Sequence, residues 1–393
     1  MKAVVYEGPG ILQLQEVADV SPQPKEVKIK IRACGICGSD VHGYLGLTGR
    51  RIEPMIMGHE FAGEVVQLGT DVKHLKEGDR VAVYPVDFCG ECEMCQKGDV
   101  HLCLNKRAFG VLDVDGAFAE YICVPEKSCF KVSEEVPYEI GSLMEPLAVS
   151  YRGVGHAGDI EGKSVLLVGT GTIGLLALAC VKMKNPGQIM VSDLSDHRLE
   201  IAKQMGADFV INPSKEDFKE AIQHYTQGHG VDVAIEAVGL ETTVQQAMSA
   251  LGFGKTAIWI GNNKPVIQIN MQEVVTRELR VHGSFLYGYQ EFETVVDLLN
   301  GNQLNVKPLI SKTIALEEIP AYCEKLAKNP GDFIKVKVPK SQKNSDHLLK
   351  FEASPDQYIE IEMQIAAIVS RALVTEEKFL IRGVWKTAPS IIM

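Results

Sequence analysis

Residues 164 to 183 read S-V-L-L-V-G-T-G-T-I-G-L-L-A-L-A-C-V-K-M. By length and apolarity alone this window would allow a membrane span. Its interior says otherwise: Val165 to Gly169 suits a buried parallel strand, and the following glycines break any continuous helix before a second apolar run from Ile173 to Val181. The predicted unit is therefore strand, glycine turn and helix. Gly169, Thr170, Gly171, Thr172, Ile173 and Gly174 spell G-x-G-x-x-G at that turn. The first glycine permits the bend, the second lets a pyrophosphate approach the backbone, and the third lets helix and strand pack closely. Phosphate would rest on the helix N-terminus. Asp193 ends the next predicted strand, nineteen residues after Gly174. An acid there holds ribose hydroxyls and repels a 2′-phosphate, which favours NAD over NADP. The competing role for Asp193 is a helix N-cap ahead of Leu199.

Outward from this unit, apolar strands alternate with helices from about Gly153 to Phe285. The strands are Ile189 to Asp193, Phe209 to Ile211, Val233 to Ala237 and Thr256 to Gly261. Alternating β and α units imply a doubly wound parallel sheet. Residues 1–152 show short β-rich runs instead, such as Val27 to Ile31 and Phe61 to Leu68. Gly78-Asp79-Arg80-Val81-Ala82-Val83 reads as a turn into another strand. No long helical period appears there, which predicts an irregular, barrel-like β domain. After Phe285, Glu291 to Asn300 and Glu317 to Asn329 read as helices, and Ile334 to Val338, I-K-V-K-V, alternates like a strand. The expected organisation is a first domain over 1–152, a dinucleotide-binding domain over 153–285, and an extension over 340–393. The extension opens on a polar linker, Lys340 to His347, and holds one amphipathic helix candidate, Pro355 to Val374. No internal repeat is visible.

The composition fits this plan. A chain of 393 residues, 46% hydrophobic and 23% charged, can bury more than one core and is neither disordered nor fibrous. Fifty-one acidic against forty basic residues give a net charge of -11, and no basic cluster exceeds single pairs such as Lys106-Arg107. Nucleic acid is excluded as a main partner, because binding it needs a concentrated positive face. The start, M-K-A-V-V-Y-E, is too short an apolar run for a signal peptide, so a cytoplasmic setting without a membrane partner is expected. Clustered thiols in a reducing compartment are read first as metal ligands.

The ten cysteines are unevenly spaced. Cys89, Cys92, Cys95 and Cys103 form C-x2-C-x2-C-x7-C, and four thiolates at this density can close a tetrahedron around a structural Zn²⁺. An iron–sulfur cluster also takes four thiolates, but the ferredoxin patterns have different final spacings. A second group gathers Cys37, His59 and Glu60 in G-H-E, and Glu145 in M-E-P-L-A-V. A catalytic zinc takes about three mixed S, N and O ligands and keeps an exchangeable position. Taken singly, Cys37 is a small core residue, His59 a turn residue and Glu145 a helix-start carboxylate. Cys34, Cys123, Cys129, Cys180 and Cys323 are scattered and read as core or surface residues.

From Met1 to about Pro339 the chain strongly resembles the zinc-dependent medium-chain alcohol and polyol dehydrogenases. The resemblance rests on A-C-G-I-C-G-S-D-V-H (33–42), G-H-E-F-A-G (58–63), G-D-R-V (78–81), the four-cysteine loop, G-A-F-A-E-Y (116–121), E-P-L-A-V (145–149) and V-G-T-G-T-I-G (168–174). It implies a GroES-like catalytic barrel over 1–152, completed by 286–339, and a Rossmann domain that binds NAD in the cleft. It implies two zincs per chain: one structural, one catalytic and held by Cys37 and His59, with Glu60 ligating directly or through water and Glu145 a further ligand that exchanges with water. Gly169, Gly171, Thr172, Ile173, Gly174 and Asp193 would bind cofactor, with Arg198 flanking the adenosine. Ser39 would pass the substrate proton onward and His42 would relay it, while hydride moves to nicotinamide. Family members usually form homodimers or homotetramers.

Departures narrow the substrate. Animal-type sorbitol dehydrogenases lack most of the structural-zinc cysteines and carry Arg before Tyr where this chain reads Gly283-Ser284-Phe285-Leu286-Tyr287. Threonine dehydrogenases tend to place Thr, His and Asp where this chain has Ser39, Val86 and Glu145. The expected substrate is a secondary alcohol of a small polyol, sugar acid or diol, with L-threonine 3-dehydrogenase as the alternative. From a different class, a non-catalytic NAD- and zinc-binding interaction protein is the rival. An amphipathic helix in 340–393 would suit a protein partner.

Overall fold

The computed structural model describes residues 1–329, 331 and 333–338, together with the backbone of Pro339 as the last strand residue. The expected linker and helix of the C-terminal extension lie outside them. The first sheet is built around one long strand, β1 (Glu26–Gly35), whose residues are buried or half-buried throughout. Along one side β1 pairs antiparallel with β2 (Glu60–Leu68), which continues to β3 (Arg80–Val83). Its other side is shared. The first half pairs with β4 (Tyr121–Pro125), and the second half with the last strand of the described chain. A fifth strand, β5 (Cys129–Lys131), closes against β3.

The parallel sheet comprises β6 (Ser164–Val168), β7 (Gln188–Ser192), β8 (Phe209–Ile211), β9 (Val231–Glu236), β10 (Leu251–Trp259) and β11 (Arg280–Gly283), in the order β8-β7-β6-β9-β10-β11. Every neighbouring pair is parallel, as alternating helices require. Ser192 ends β7, and Asp193 lies one residue beyond it. The sequence pattern does not announce β11, whose four residues are all exposed. It carries no apolar alternation because it lies at the edge of the sheet.

Two further strands, β12 (Ile310–Thr313) and β13 (Lys335–Pro339), return to the first sheet. β13 sits between β1 and β12, so residues more than three hundred positions apart share a register: Lys337 faces Gly35 and Val338 faces Cys34. The alternation I-K-V-K-V predicts lysines on a wet face. The observed strand is central, and Lys335 and Lys337 are 3% and 0% exposed. Two cations are thus carried into the interior.

The main core lies between the sheets. Helix α1 (Gly38–Tyr44) follows β1 directly. Helix α2 (Met144–Gly155) packs on α3 (Thr172–Lys182), in which Gly174 to Val181 are all buried. Burying each Leu or Val of such a face contributes about 1.5–3 kcal/mol. Two glycines permit the turn into α3. Gly169 takes φ +91°, and a Cβ on Gly174 would meet the Gly169 carbonyl oxygen at 1.8 Å. Helices α4 (Asp196–Gln204), α5 (Tyr289–Asn300) and α6 (Ile319–Lys328) complete the elements used below. Among the described residues no helix is long and apolar enough to cross a membrane.

Candidate active site

The chain end of β1 turns at Ile36 into the first turn of α1, and this turn carries Cys37, Ser39 and Asp40. Cys37 caps the helix: its Sγ lies 3.5 Å from the Ser39 N–H, and its own N–H donates to Asp40 Oδ2 at 3.0 Å. The start of β2 brings His59 and Glu60 opposite. One ligand atom from each of Cys37, His59 and Glu60 falls within 4.8 Å of the others, a mixed S, N and O set suited to a catalytic zinc. His59 Nδ1 stands 3.3 Å from Asp40 Oδ1, close enough for an ion pair without the alignment of a hydrogen bond. Burial opposes the His59 charge, but Asp40 and Cys37 outweigh it and raise the imidazole pKa well above its ordinary value. Burial also opposes the Asp40 charge, and there His59 and Arg51 reverse it, so the carboxyl pKa falls.

The two glutamates are held differently. Glu60 is fully buried, and Lys335 Nζ donates to both of its oxygens at 2.7 and 2.8 Å and to the Ile36 carbonyl at 3.2 Å. Lys337 Nζ stands 3.8 Å behind and has no hydrogen-bond partner among the described residues. Burial would raise the Glu60 pKa; Lys335 and Lys337 lower it, so the group is ionised but tethered. Glu145, in the first turn of α2, lies outside the set that gathers Cys37, His59 and Glu60. Its Oε1 accepts the Tyr287 hydroxyl, and burial followed by the Glu60 charge pushes it up to about 7.

Ser39 sits on the same helical turn as Cys37, with Arg51 Nη2 at 3.5 Å from its hydroxyl. His42, in the last turn of α1, is half-buried and makes no hydrogen bond to Ser39 among the described residues. The second thiol group needs less interpretation. Its Sγ–Sγ separations are 3.9 Å (Cys89–Cys95), 3.6 Å (Cys92–Cys95), 3.8 Å (Cys92–Cys103) and 3.5 Å (Cys89–Cys103). A tetrahedron with Zn–S bonds of about 2.3 Å has edges of roughly 3.8 Å, so the four thiols fit a closed zinc site. Backbone N–H groups of Cys95 and Leu104 bring Cys92 down to about 6, a thiolate at neutral pH. Burial instead raises Cys34, Cys123, Cys129, Cys180 and Cys323, which remain thiols and add no ligand.

At the dinucleotide turn, a Cβ on Gly171 would meet nothing within 4 Å, leaving room for a pyrophosphate at the start of α3. Asp193 Oδ2 accepts the Thr170 N–H at 2.7 Å and Oδ1 the Ser195 N–H at 2.9 Å. The N-cap of α4 is Ser195, so Asp193 does not fill that alternative role. Thr172 and Arg198 are turned toward the returning chain. Thr172 Oγ1 donates to the Ile334 carbonyl, and Arg198 Nη2 to those of Gly331 and Phe333. Arg198 therefore ties the end of the chain to α4 rather than standing free beside an adenosine.

Known proteins agree with this geometry. Residues 23–134 match the alcohol dehydrogenase GroES-like domain and residues 172–301 the zinc-binding dehydrogenase domain. The L-threonine 3-dehydrogenase of Symbiobacterium thermophilum is 35% identical over 81% of this chain and 91% of its own. The chain belongs to the zinc-dependent medium-chain alcohol and polyol dehydrogenases. Sorbitol dehydrogenase of Bacillus subtilis is 33% identical, over 86% of this chain and 97% of its own. Among solved structures, a zinc-binding dehydrogenase of Sinorhizobium meliloti bound to NADP superposes with a TM-score of 0.80 at 33% identity, covering 86% of this chain and 98% of that one. The barrel-plus-Rossmann fold and the oxidoreductase class are those of the family.

Sequence reasoning missed Asp40, Arg51, Lys335, Lys337 and Tyr287 as parts of this dehydrogenase site. Asp40 was within reach, since a carboxylate three residues from Cys37 in C-G-S-D lies on the same helical turn. The lysines were not, because their burial depends on which strands flank β13.

Proposed function

We propose that this dehydrogenase oxidises a secondary alcohol of a small polyol, sugar acid or diol with NAD. The observation that carries the reading is the convergence of Cys37, His59 and Glu60 with Ser39 on the same helical turn as Cys37. Zinc held there would supply Lewis acidity toward the substrate oxygen, and bound NAD would supply the hydride acceptor. Cys37 and His59 hold the metal, Asp40 orients the imidazole, and Lys335 keeps Glu60 ionised at its side. Glu145 is the carboxylate free to exchange, because its hold is one hydroxyl rather than a lysine. Ser39 would relay the substrate proton, accepting it as its own hydroxyl proton passes on toward solvent, and Asp193 selects the ribose hydroxyls. The thiol ligands suit a reducing, cytoplasmic setting.

The similarity to a threonine dehydrogenase favours a second reading, L-threonine 3-dehydrogenase. Ser39, Val86 and Glu145 speak for the polyol-like substrate. We also propose a homodimer formed through the edge strand β11, whose four residues are all exposed. The functional test is NADH formation by the zinc-replete chain across polyols, sugar acids, vicinal diols and L-threonine, with NADP as control and Cys37→Ala as the inactive reference. Silence across the panel, or normal turnover by Cys37→Ala, overturns the reading.

A further inference from the structure

Arg51 is the basic residue of the candidate active site for which no role has been assigned. It comes from the loop between α1 and β2, yet it is 7% exposed and its side chain reaches back under α1. A single nitrogen, Nη2, faces three acceptors of the first helical turn: Asp40 Oδ1 at 3.1 Å, the Ser39 carbonyl at 3.3 Å and the Ser39 hydroxyl at 3.5 Å. Its Nε is buried without a partner, so the guanidinium is fixed by this turn alone among the described residues. The helix is shaped to admit it. A Cβ on Gly43 would sit 2.8 Å from Arg51 Cγ and 3.1 Å from Nε. A glycine inside a helix is destabilising relative to alanine, and here the missing side chain is the passage for the arginine stem.

We propose that Arg51 is a positioning residue that locks the carboxylate behind His59 to the hydroxyl that takes the substrate proton. Asp40 faces His59 with the same oxygen that Arg51 grips. The guanidinium thus balances the charge of Asp40 and fixes its direction, and through it the imidazole. The same nitrogen fixes the Ser39 backbone, and so the place of its hydroxyl relative to Cys37. Groups that orient a metal-binding histidine typically change metal affinity 10–100-fold when removed. The inference rests on the zinc-dehydrogenase reading above.

The test uses the full-length, zinc-loaded chain and the rate at which a chromogenic chelator in excess takes up zinc. The release phase missing from Cys37→Ala is assigned to the catalytic site, and the remaining phase is the internal control. In Arg51→Met the catalytic-site phase should quicken tenfold or more with the control phase unchanged. Its kcat should fall at least tenfold with the NAD KM within about twofold. Arg51→Lys should recover part of the zinc retention, since it keeps a cation at Asp40. Gly43→Ala, which leaves Asp40, Ser39 and Arg51 in place but closes the passage, should quicken release in the same direction. Wild-type release from Arg51→Met overturns the proposal, as does an effect on substrate KM alone. If Arg51→Met does not fold, wild-type release from both Arg51→Lys and Gly43→Ala overturns it, and faster release from both supports it. If the wild-type chain proves inactive on every alcohol, the functional reading fails while the release rates still decide the role of Arg51.

Discussion

Tyr287 donates its hydroxyl to Glu145 Oε1 across 2.9 Å in the interior of the protein, and the same tyrosine accepts a hydrogen bond from Tyr84 at its carbonyl. The bond ties the segment after β11 to the first turn of α2. It also stabilises the ionised form of a carboxylate that burial and Glu60 push up to about 7. Tyr287→Phe removes that stabilisation, so the Glu145 pKa should rise further. A hydrogen bond to a charged acceptor is worth about 1 kcal/mol more than one to a neutral acceptor, equivalent to roughly 0.7 of a pH unit. The acid limb of kcat/KM should therefore move to higher pH by about 0.5–1 unit. An unchanged or lowered limb would show that Glu145 need not ionise for turnover.

The four-cysteine loop should behave as a separate metal site. Cys92→Ser removes the thiol that backbone N–H groups favour most as thiolate. Zinc measured by atomic absorption should drop by about one per chain, and the midpoint of thermal unfolding should fall by about 5 °C or more. Retention of both metals would contradict the tetrahedral assignment.

Asp193 receives two backbone N–H groups in addition to its proposed ribose contact. Asp193→Asn removes the charge that repels a 2′-phosphate and keeps one of the two acceptor oxygens that Thr170 and Ser195 use. The kcat/KM for NAD should fall about tenfold or more, and the NADP to NAD ratio should rise. A variant that keeps its NAD preference places cofactor discrimination elsewhere.

Lys337 gives a pH dependence of definite sign. Burial lowers its pKa from 10.5 to about 7, with Glu60 opposing. Below pH 7 both folded and unfolded chains carry the proton, and the folded chain bears the full cost of a buried charge. Between about 7 and 10.5 the unfolded chain holds more protons, so stability contributed at this position rises with pH. Lys337→Met should erase that rise and raise stability by about 1 kcal/mol or more at pH 6, with little gain at pH 9. Urea midpoints of both proteins across that range check it.

The edge strand β11 should be where two copies meet. Val281, 39% exposed in the middle of β11, would be buried by a pairing strand. Val281→Asp should shift sedimentation at micromolar concentration from dimer toward monomer. A wild-type chain that sediments as a monomer removes the proposal.

The parallel sheet was legible because its strands are buried on both faces and its glycine turn has few alternatives. Both zinc sets were legible because their ligands are close in sequence or carried by short motifs. The charges around Glu60 were not. Lys335 and Lys337 look like the wet face of a strand, and only the insertion of β13 beside β1 turns them inward. Arg51 was equally hidden, since a loop arginine ordinarily lies at the surface and the vacancy that admits it is a glycine eight residues earlier. Arg198 was half legible: the resemblance suggests a place beside the adenosine, while the carbonyls that its Nη2 meets come from the far end of the described chain.

That far end also sets an order of events during biosynthesis. The ribosome releases β1 and β2 early, but the strand that lies against β1 and supplies the counter-charge of Glu60 is among the last of the described residues to emerge. Until residue 335 has cleared the exit tunnel, Glu60 lacks its lysine and the first sheet an inner strand, while all six strands of the parallel sheet are already available to pair. All six strands of the parallel sheet are therefore synthesised before the surroundings of Glu60 are complete.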